Sequence, residues 1–221
     1  MTPAQATESP TGLTIAVPRG ALFGESLDLL ERLGVPTAEI RENDRRLIFP
    51  HLGVITTRPS DVPTYVEHGA ADLGITGKDV LLEQAGREVY ELLDLGYGYC
   101  RMIVAARAGD DPLGEPLRRR GSVRIATKYP RIATTYFAGT GRQAEIVEVK
   151  GSVEIGPLTG LVDAIVDLTA SGRTLAENHL VEHEQIVECT ARLIANPVSH
   201  KLKAERIDAL VERLRAAVSE P

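Results

Sequence analysis

Short apolar runs alternate with stretches of helical periodicity along the whole chain, and that alternation confines it to a small set of folds. Residues 13–17 read as a buried strand stopped by Pro18, Arg19 and Gly20. A helix follows from about Leu22, with Leu27, Leu30 and Leu33 on one stripe and Gly34 closing it. Apolar runs at 47–49 and 54–56 precede a helix predicted over 61–68, capped by Ser60 and carrying Pro63 in its first turn. Residues 73–76 are a strand, Gly77 and Lys78 a turn, and 79–84 a helix. The second half repeats the pattern, with strands predicted at 101–107, 123–126 and 146–149. Helices are expected around Ile132 to Phe137 and near 158–162, then extended chain over 186–194. Pro197 and a Ser199 cap introduce a last helix with Ile207, Leu210, Leu214 and Val218 on one face. Such a chain predicts an α/β fold with mainly parallel pairing.

One stretch stands out, Asp163 to Leu175. It reads as a short apolar strand that ends on an aspartate, Asp167, then a hydroxyl-rich turn with one glycine, then a helix start. A turn of this kind aims backbone N–H groups and hydroxyls at one point, at the positive end of a helix dipole, which suits a phosphate. Gly172 permits close approach, Ser171 and Thr174 supply hydroxyls, and Arg173 adds charge. Hydrogen bonds to charged groups contribute roughly 1.5–3 kcal/mol each, so three or four would hold a phosphate well. For Ser-Gly-x-Thr alone, an ordinary capped turn explains the residues better. Asp163 and Asp167 tilt the reading, because acids beside a phosphate cradle suit a sugar's hydroxyls or Mg²⁺.

Residues 71–78 echo 162–169. In each, a helix ends at an aspartate, a short apolar strand follows, and a polar turn opens a new helix. The echo is either an internal duplication, with two helix starts around one ligand at the carboxyl ends of strands, or a coincidence of two ordinary turns.

Composition narrows the partners. Of 221 residues, 43% are hydrophobic and 25% charged, as in globular chains, and the net charge of −6 argues against nucleic acid or a membrane surface held by bulk electrostatics. Anionic ligands would need local cations. Arg19, Arg45, Arg46, Arg58 and Lys78 fall at predicted strand ends and turns, where together they suit a second polyanion, though each taken alone reads better as a solvated residue. The run Arg118 to Arg120 ends a Pro-flanked loop and reads as a solvated face. Cys100 and Cys189 make no disulfide or metal framework and are expected reduced and buried. His179 and His183, four apart, are spaced for one helix face but lack a third metal ligand. Tyr97 and Tyr99, beside Gly96 and Gly98, offer a base-stacking surface or a core role. Residues 1–12 have neither a basic start nor an apolar middle and read as a disordered tail, and no run approaches a membrane span, so a cytoplasmic location is expected.

Residues 154–175 closely resemble the signature of the ATP phosphoribosyltransferases, which open histidine biosynthesis. Residues 58–79, 125–130 and 191–196 are similar to further blocks of that family, and the likeness runs from about Leu13 to the end. The resemblance implies a two-lobed α/β fold similar to type II periplasmic binding proteins, with the active site in the cleft between lobes. Lobe I is expected over 13–100 plus 184–221, and lobe II over 101–183. The implied reaction joins N1 of the ATP adenine to C1 of phosphoribosyl pyrophosphate, releasing pyrophosphate, with Mg²⁺ bound through the substrate. The length matches the short form, which works in a hetero-octamer with a regulatory subunit resembling histidyl-tRNA synthetase.

On the same resemblance, Asp167, Thr169, Ala170, Ser171, Gly172, Arg173 and Thr174 form the phosphoribosyl loop, and Glu154 and Asp163 border it. Arg45 matches an arginine that stabilises the departing pyrophosphate. Arg19 stands where the family has the lysine of a Lys-Gly-Arg-Leu motif, and Ala21 replaces that motif's arginine, so Arg19, Arg58 or the partner subunit is expected to compensate. Arg58, Thr76, Gly77, Lys78 and Tyr99 are expected near ATP or pyrophosphate. Two rivals stay open: a non-catalytic small-molecule binding protein on the same fold, and a phosphoribosyltransferase acting on a free base.

Overall fold

The computed structural model describes residues 9–109 and 111–219. In chain order the elements are β1 (Ile15–Pro18), α1 (Phe23–Arg32), α2 (Ala38–Arg41), β2 (Ile48–Phe49), β3 (Val54–Thr57), α3 (Val62–Glu67), β4 (Leu73–Gly77), α4 (Lys78–Glu83) and β5 (Tyr90–Asp94). They continue with β6 (Cys100–Arg107), α5 (Gly114–Arg120), β7 (Val123–Thr127), α6 (Pro130–Gly139), β8 (Ala144–Glu148), α7 (Ile155–Leu158), β9 (Ala164–Thr169) and α8 (Arg173–Glu177). β10 (Leu180–Cys189), β11 (Ala191–Ala195), α9 (Pro197–Leu202) and α10 (Ala204–Ser219) complete the chain. Two compact units result. The first runs to Leu81, resumes for Ala85–Gly98 and takes the chain from Thr190, while the second holds Leu82–Gln84 and Tyr99–Cys189. The sequence had the return beginning at 184. Residues 184–189 stay with the second unit because β10 runs on against β6 through two register shifts, as far as the Cys189–Cys100 pair.

The first unit has a six-stranded sheet in the order β2-β3-β1-β4-β11-β5, and the second a five-stranded sheet in the order β10-β6-β9-β7-β8. Parallel pairing is confined to β3-β1-β4 and β8-β7-β9. All other pairs are antiparallel, which corrects the expectation of mainly parallel sheets. The reason is that β6 and β11 enter their sheets directly from the segments joining the units, without a βα crossover to reverse the chain. The shared plan settles the echo. β1, β3 and β4 are laid down in the same order and sense as β7, β8 and β9, and β11 returns beside β4 as β6 does beside β9.

Each unit buries both faces of its central strands, which is why those strands read as continuous apolar runs. In the second unit Met102, Val104, Ile125 and Val166 share a cluster with Ile132, Ala133 and Phe137 of α6. On the opposite face Ile103, Ala126 and Ile165 meet Val153, Val162 and Leu175. The first unit packs Val17, Val54, Leu73 and Leu193 with Leu27 and Leu30 of α1 and with Ile207, Leu210 and Leu214 of α10.

An aspartate fastens the start of the parallel strands in each unit. Asp72 donates its N–H to Thr14 O at 2.8 Å and accepts the Thr14 N–H on Oδ2 at 2.9 Å. Asp163 does the same with Arg124, donating to its carbonyl at 2.9 Å and accepting its N–H at 2.7 Å.

Several local expectations are corrected. The expected 1–12 tail falls partly on residues 1–8, outside the described residues; Ser9 to Gly12 form a turn closed by Gly12 N–H to Ser9 O at 2.8 Å. Pro59–Asp61 is a 3₁₀ turn, and the Ser60 hydroxyl donates to Asp61 in place of capping α3. Asn196 is the cap of α9, accepting the Ser199 N–H at 2.8 Å. Arg118, Arg119 and Arg120 lie on helix α5, not a loop. His179 follows α8 at φ 55° and His183 lies within β10, so they share no helix face. Cys189 is buried, but Cys100 only half so.

Candidate active site

Because β7, β8 and β9 are parallel, their carboxyl ends lie at one edge of the second unit's sheet, the edge from which α8 starts. Along β9, side chains alternate between faces. Ile165 and Asp167 share the face covered by α7 and α8, and Ile103 of β6 pairs with Asp167 on that face. Asp167 is therefore a carboxylate set at the end of an apolar stripe, 7% exposed. Its Oδ1 accepts the Leu168 N–H at 2.8 Å and lies 3.1 Å from Lys128 Nζ. Burial pushes the Asp167 carboxyl up from its ordinary range, against the pull of Lys128 and the Leu168 N–H, and the nearby Glu154 carboxylate pushes the same way as burial.

The turn beyond β9 is ordered by its own hydroxyls. Thr169 Oγ1, on a buried residue, accepts the Gly172 N–H at 3.0 Å, and Ser171 Oγ accepts the Arg173 N–H at 3.4 Å. Gly172 sits at φ 73°, and a Cβ built there meets nothing within 4 Å, so the space over the turn is open. Ala170, Ser171 and Thr174 are exposed. Arg173 is exposed too, and its Nε donates to Glu177 at 2.9 Å, one helical turn on. Glu154, Asp167, Lys128 and the Thr169–Thr174 turn are thus gathered at one edge.

Asp163 is not gathered with them. Six residue steps of extended chain separate it from Thr169, about 20 Å at ~3.3 Å per residue. At that far end it holds Arg124 through backbone and side chain and is paired with Arg120. An aspartate before a strand sits at the strand's amino end, so Asp163, expected to border the phosphoribosyl site, lies away from the Thr169–Thr174 turn.

The first unit's predicted residues divide similarly. Arg19, just beyond β1, donates Nε to Thr56 Oγ1 at 3.0 Å and Nη2 to the carbonyls of Arg46 at 2.9 Å and Asn43 at 3.3 Å. Its guanidinium also lies 5.3 Å from the Phe23 ring centroid and 3.7 Å from Asp44. These contacts commit Arg19 to holding the 43–46 loop, which leaves it poorly suited to replace the side chain missing at the exposed Ala21. Arg45 rides exposed on that loop, and Arg58 is exposed where β3 gives way to the 3₁₀ turn. Arg46 is paired with Glu39. Thr76 donates to Pro59 O at 3.2 Å, and Lys78 Nζ lies 2.7 Å from Glu91. A Cβ on Gly77 would meet Asp79 Oδ1 at 2.1 Å, so the Asp79 carboxylate already fills the space over that turn. Thr76, Gly77 and Lys78 are therefore engaged within the fold.

Tyr99, in the second unit, is exposed and donates its hydroxyl to Glu188 at 2.9 Å. Tyr97 is half-buried against the first unit's core, and its hydroxyl lies 2.8 Å from Ser26 Oγ; burial pushes its pKa up. Lys128 is the residue sequence reasoning passed over. Its signal was its place in a resembling block one residue beyond a strand, where parallel register sets it beside Asp167.

Among the described residues no cluster of three or more His, Cys, Asp or Glu is arranged to hold a metal, and no helix is long and apolar enough to cross a membrane.

Known proteins supply the wider frame. The solved structure of the ATP phosphoribosyl transferase (HisG:HisZ) complex from Thermotoga maritima matches at a TM-score of 0.78 and 33% identity, covering 95% of this chain and all of that one. The periplasmic aliphatic sulphonate binding protein SsuA from Escherichia coli matches at 0.61 with 12% identity, over 94% of this chain and 72% of that one, a likeness of fold alone. The ATP phosphoribosyltransferase of Rubrobacter xylanophilus is 52% identical over 203 residues, 90% of this chain and 94% of its own. That of Moorella thermoacetica is 46% identical over 215 residues, 94% of each. A family model described as ATP phosphoribosyltransferase matches residues 58–216. Taken with relatives near half identity over nine-tenths of its length, that match shows that this chain belongs to the ATP phosphoribosyltransferase family.

Proposed function

We propose that the chain transfers the phosphoribosyl group of phosphoribosyl pyrophosphate to N1 of ATP, giving N1-(5-phosphoribosyl)-ATP and pyrophosphate, the first step of histidine biosynthesis. The observation that carries the site assignment is the open, hydroxyl-lined turn at Thr169–Thr174 beside the buried Asp167 carboxylate. In this reading the turn takes the 5′-phosphate and Asp167 accepts from the ribose hydroxyls. Glu154 borders the same site. Magnesium would be held through the substrate's pyrophosphate, with no ligand from protein side chains alone, and would supply charge that offsets the phosphates.

The chemistry needs no covalent enzyme intermediate. The bond from C1 to pyrophosphate loosens toward an oxocarbenium-like state while the neutral ring nitrogen attacks the opposite face. The protein contributes position and a cation for the leaving group. Arg45 takes the second role and Arg19 supports it by fixing the 43–46 loop. Arg45→Ala should lower turnover more than it weakens substrate binding; loss of binding alone would make Arg45 a docking residue.

The chain works with a regulatory subunit resembling histidyl-tRNA synthetase, in a hetero-octamer, in the cytoplasm. The reading is supported by the Thermotoga maritima complex, which pairs HisG with HisZ. A pyrophosphate-release assay with ATP, phosphoribosyl pyrophosphate, Mg²⁺ and that partner tests the whole proposal. Release with ATP and none with adenine is expected. Release with adenine alone would identify a free-base enzyme, and no release with either would favour a binding protein.

A further inference from the structure

The two oxygens of Asp167 are used unequally. Oδ1 takes the Leu168 N–H at 2.8 Å and the Lys128 ammonium at 3.1 Å. Oδ2 accepts no hydrogen bond from the described residues, although the side chain is only 11% exposed. Lys128 is itself 41% exposed and 5.7 Å from the Tyr129 ring centroid. Its place follows from register: Thr127 pairs with Val166 in the parallel β7–β9 ladder, so the next residue of each strand, Lys128 and Asp167, fall side by side.

The other charges around Asp167 do not duplicate this contact. From α7, Glu154 adds a second negative charge. From β6, Ile103 pairs with Asp167, and Arg101, opposite Thr169, gives its guanidinium to Glu182 at 2.7 Å. From the turn, Arg173 is paired with Glu177. Lys128 is the cation on the carboxylate. An ion pair with a lysine this exposed adds little to fold stability, so its use lies elsewhere.

We propose that Lys128 is a positioning residue for the transfer: it pins Oδ1 of Asp167, keeping the carboxylate charged and its Oδ2 turned to accept from the ribose hydroxyls of phosphoribosyl pyrophosphate. The inference rests on the site reading given above. A carboxylate beside Glu154 and largely out of water tends to take up a proton, and an incoming polyanion strengthens that tendency; a protonated Asp167 is a poorer acceptor for two hydroxyls. Lysine suits the task because it is a compact point charge on a flexible stem.

The test uses the full chain with its regulatory partner and measures kcat and KM for phosphoribosyl pyrophosphate and ATP against pH. The variants are Lys128→Met, Lys128→Arg, Asp167→Asn, the Lys128→Met/Asp167→Asn double variant and Thr174→Ala. Lys128→Met is expected to raise KM for phosphoribosyl pyrophosphate roughly tenfold, with KM for ATP unchanged and kcat within a few-fold. The acid limb of kcat/KM should move up by about one pH unit, because the carboxyl then protonates more readily. Lys128→Arg should restore both, and the double variant should be no worse than Asp167→Asn. An unmoved acid limb in Lys128→Met overturns the inference, as does a double variant weaker than either parent, which would mean a direct lysine contact with substrate. If Asp167→Asn and Thr174→Ala also leave KM for phosphoribosyl pyrophosphate unchanged, the site reading itself has failed, a result distinguishable from failure at Lys128 alone.

Discussion

Removing Asp163 should damage the fold and spare the substrate site. Its Oδ2 accepts the Arg124 backbone N–H at 2.7 Å, its carboxylate is paired with Arg120 and lies 3.4 Å from Arg124 Nη2, and its side chain is 12% exposed. Asp163→Ala orphans a backbone N–H at the start of a central strand, which costs about 1–3 kcal/mol. The two partly exposed ion pairs add at most about 1 kcal/mol each. The sum is about 1–5 kcal/mol, and with roughly 2–4 °C per kcal/mol for a chain of this size the melting temperature should fall by about 2–20 °C. Asp163→Asn retains an acceptor for the N–H and should lose only about a third of that. Thermal melts by circular dichroism give the first quantity, and steady-state kinetics well below the transition give the second. KM for phosphoribosyl pyrophosphate should stay within about twofold of wild type, since some 20 Å of strand separates Asp163 from the turn. A tenfold rise in KM at unchanged melting temperature would refute the reasoning and return Asp163 to the substrate site.

Asp167 should behave in the opposite way. Burial raises its pKa above 3.8, so the stability it contributes is complete below the unfolded value and is lost as pH rises through the folded one. Asp167→Asn should therefore melt higher than wild type at pH 7, converge with it in acid, and lose activity at least about 100-fold; pH-dependent melts and the pyrophosphate assay check both halves. Gly74→Ala would put a Cβ 2.6 Å from Val62 Cγ1 and 2.7 Å from Val66 Cγ2, and should cost about 1–3 kcal/mol by overpacking, read from denaturant midpoints. Arg19→Met should lower kcat with a loss of stability under about 2 kcal/mol, because the released 43–46 loop no longer fixes Arg45; unchanged kcat would remove Arg19 from the mechanism.

What the sequence disclosed and what it withheld divide along physical lines. The strands of the two parallel cores were legible because they are buried on both faces, which writes runs such as 102–106 and 164–166 in apolar residues. β5 was missed because Glu91 and Asp94 interrupt its pattern at the edge of the sheet. α5 was missed because Pro116 falls inside a Gly-to-Arg run that reads as loop, yet proline fits the first turn of a helix. Within the site, Asp167 and the hydroxyl turn were legible as local chemistry. Asp163 was grouped with the turn because proximity in sequence hides the length of an extended strand. Lys128 was passed over because its partner is some forty residues away, and only the β7–β9 register joins them.

The duplicated βα units show how one plan yields two different turns. Asp72 and Asp163 do the same structural work in their units, so the resemblance of residues 71–78 to 162–169 comes from fold maintenance. The turns then diverge by one acid. In α4 the second residue is Asp79, 9% exposed, whose carboxylate lies over Gly77 and complements the helix start from within. In α8 the matching positions are Arg173 and Thr174, and the space over Gly172 is left open. An anion approaching the first turn meets a charge of its own sign, while at the second it meets hydroxyls and an arginine. The sequence difference that leaves the second unit's turn the better suited of the two to an anion is therefore the absence of an acid in the first turn of α8, more than the presence of Ser171 or Gly172.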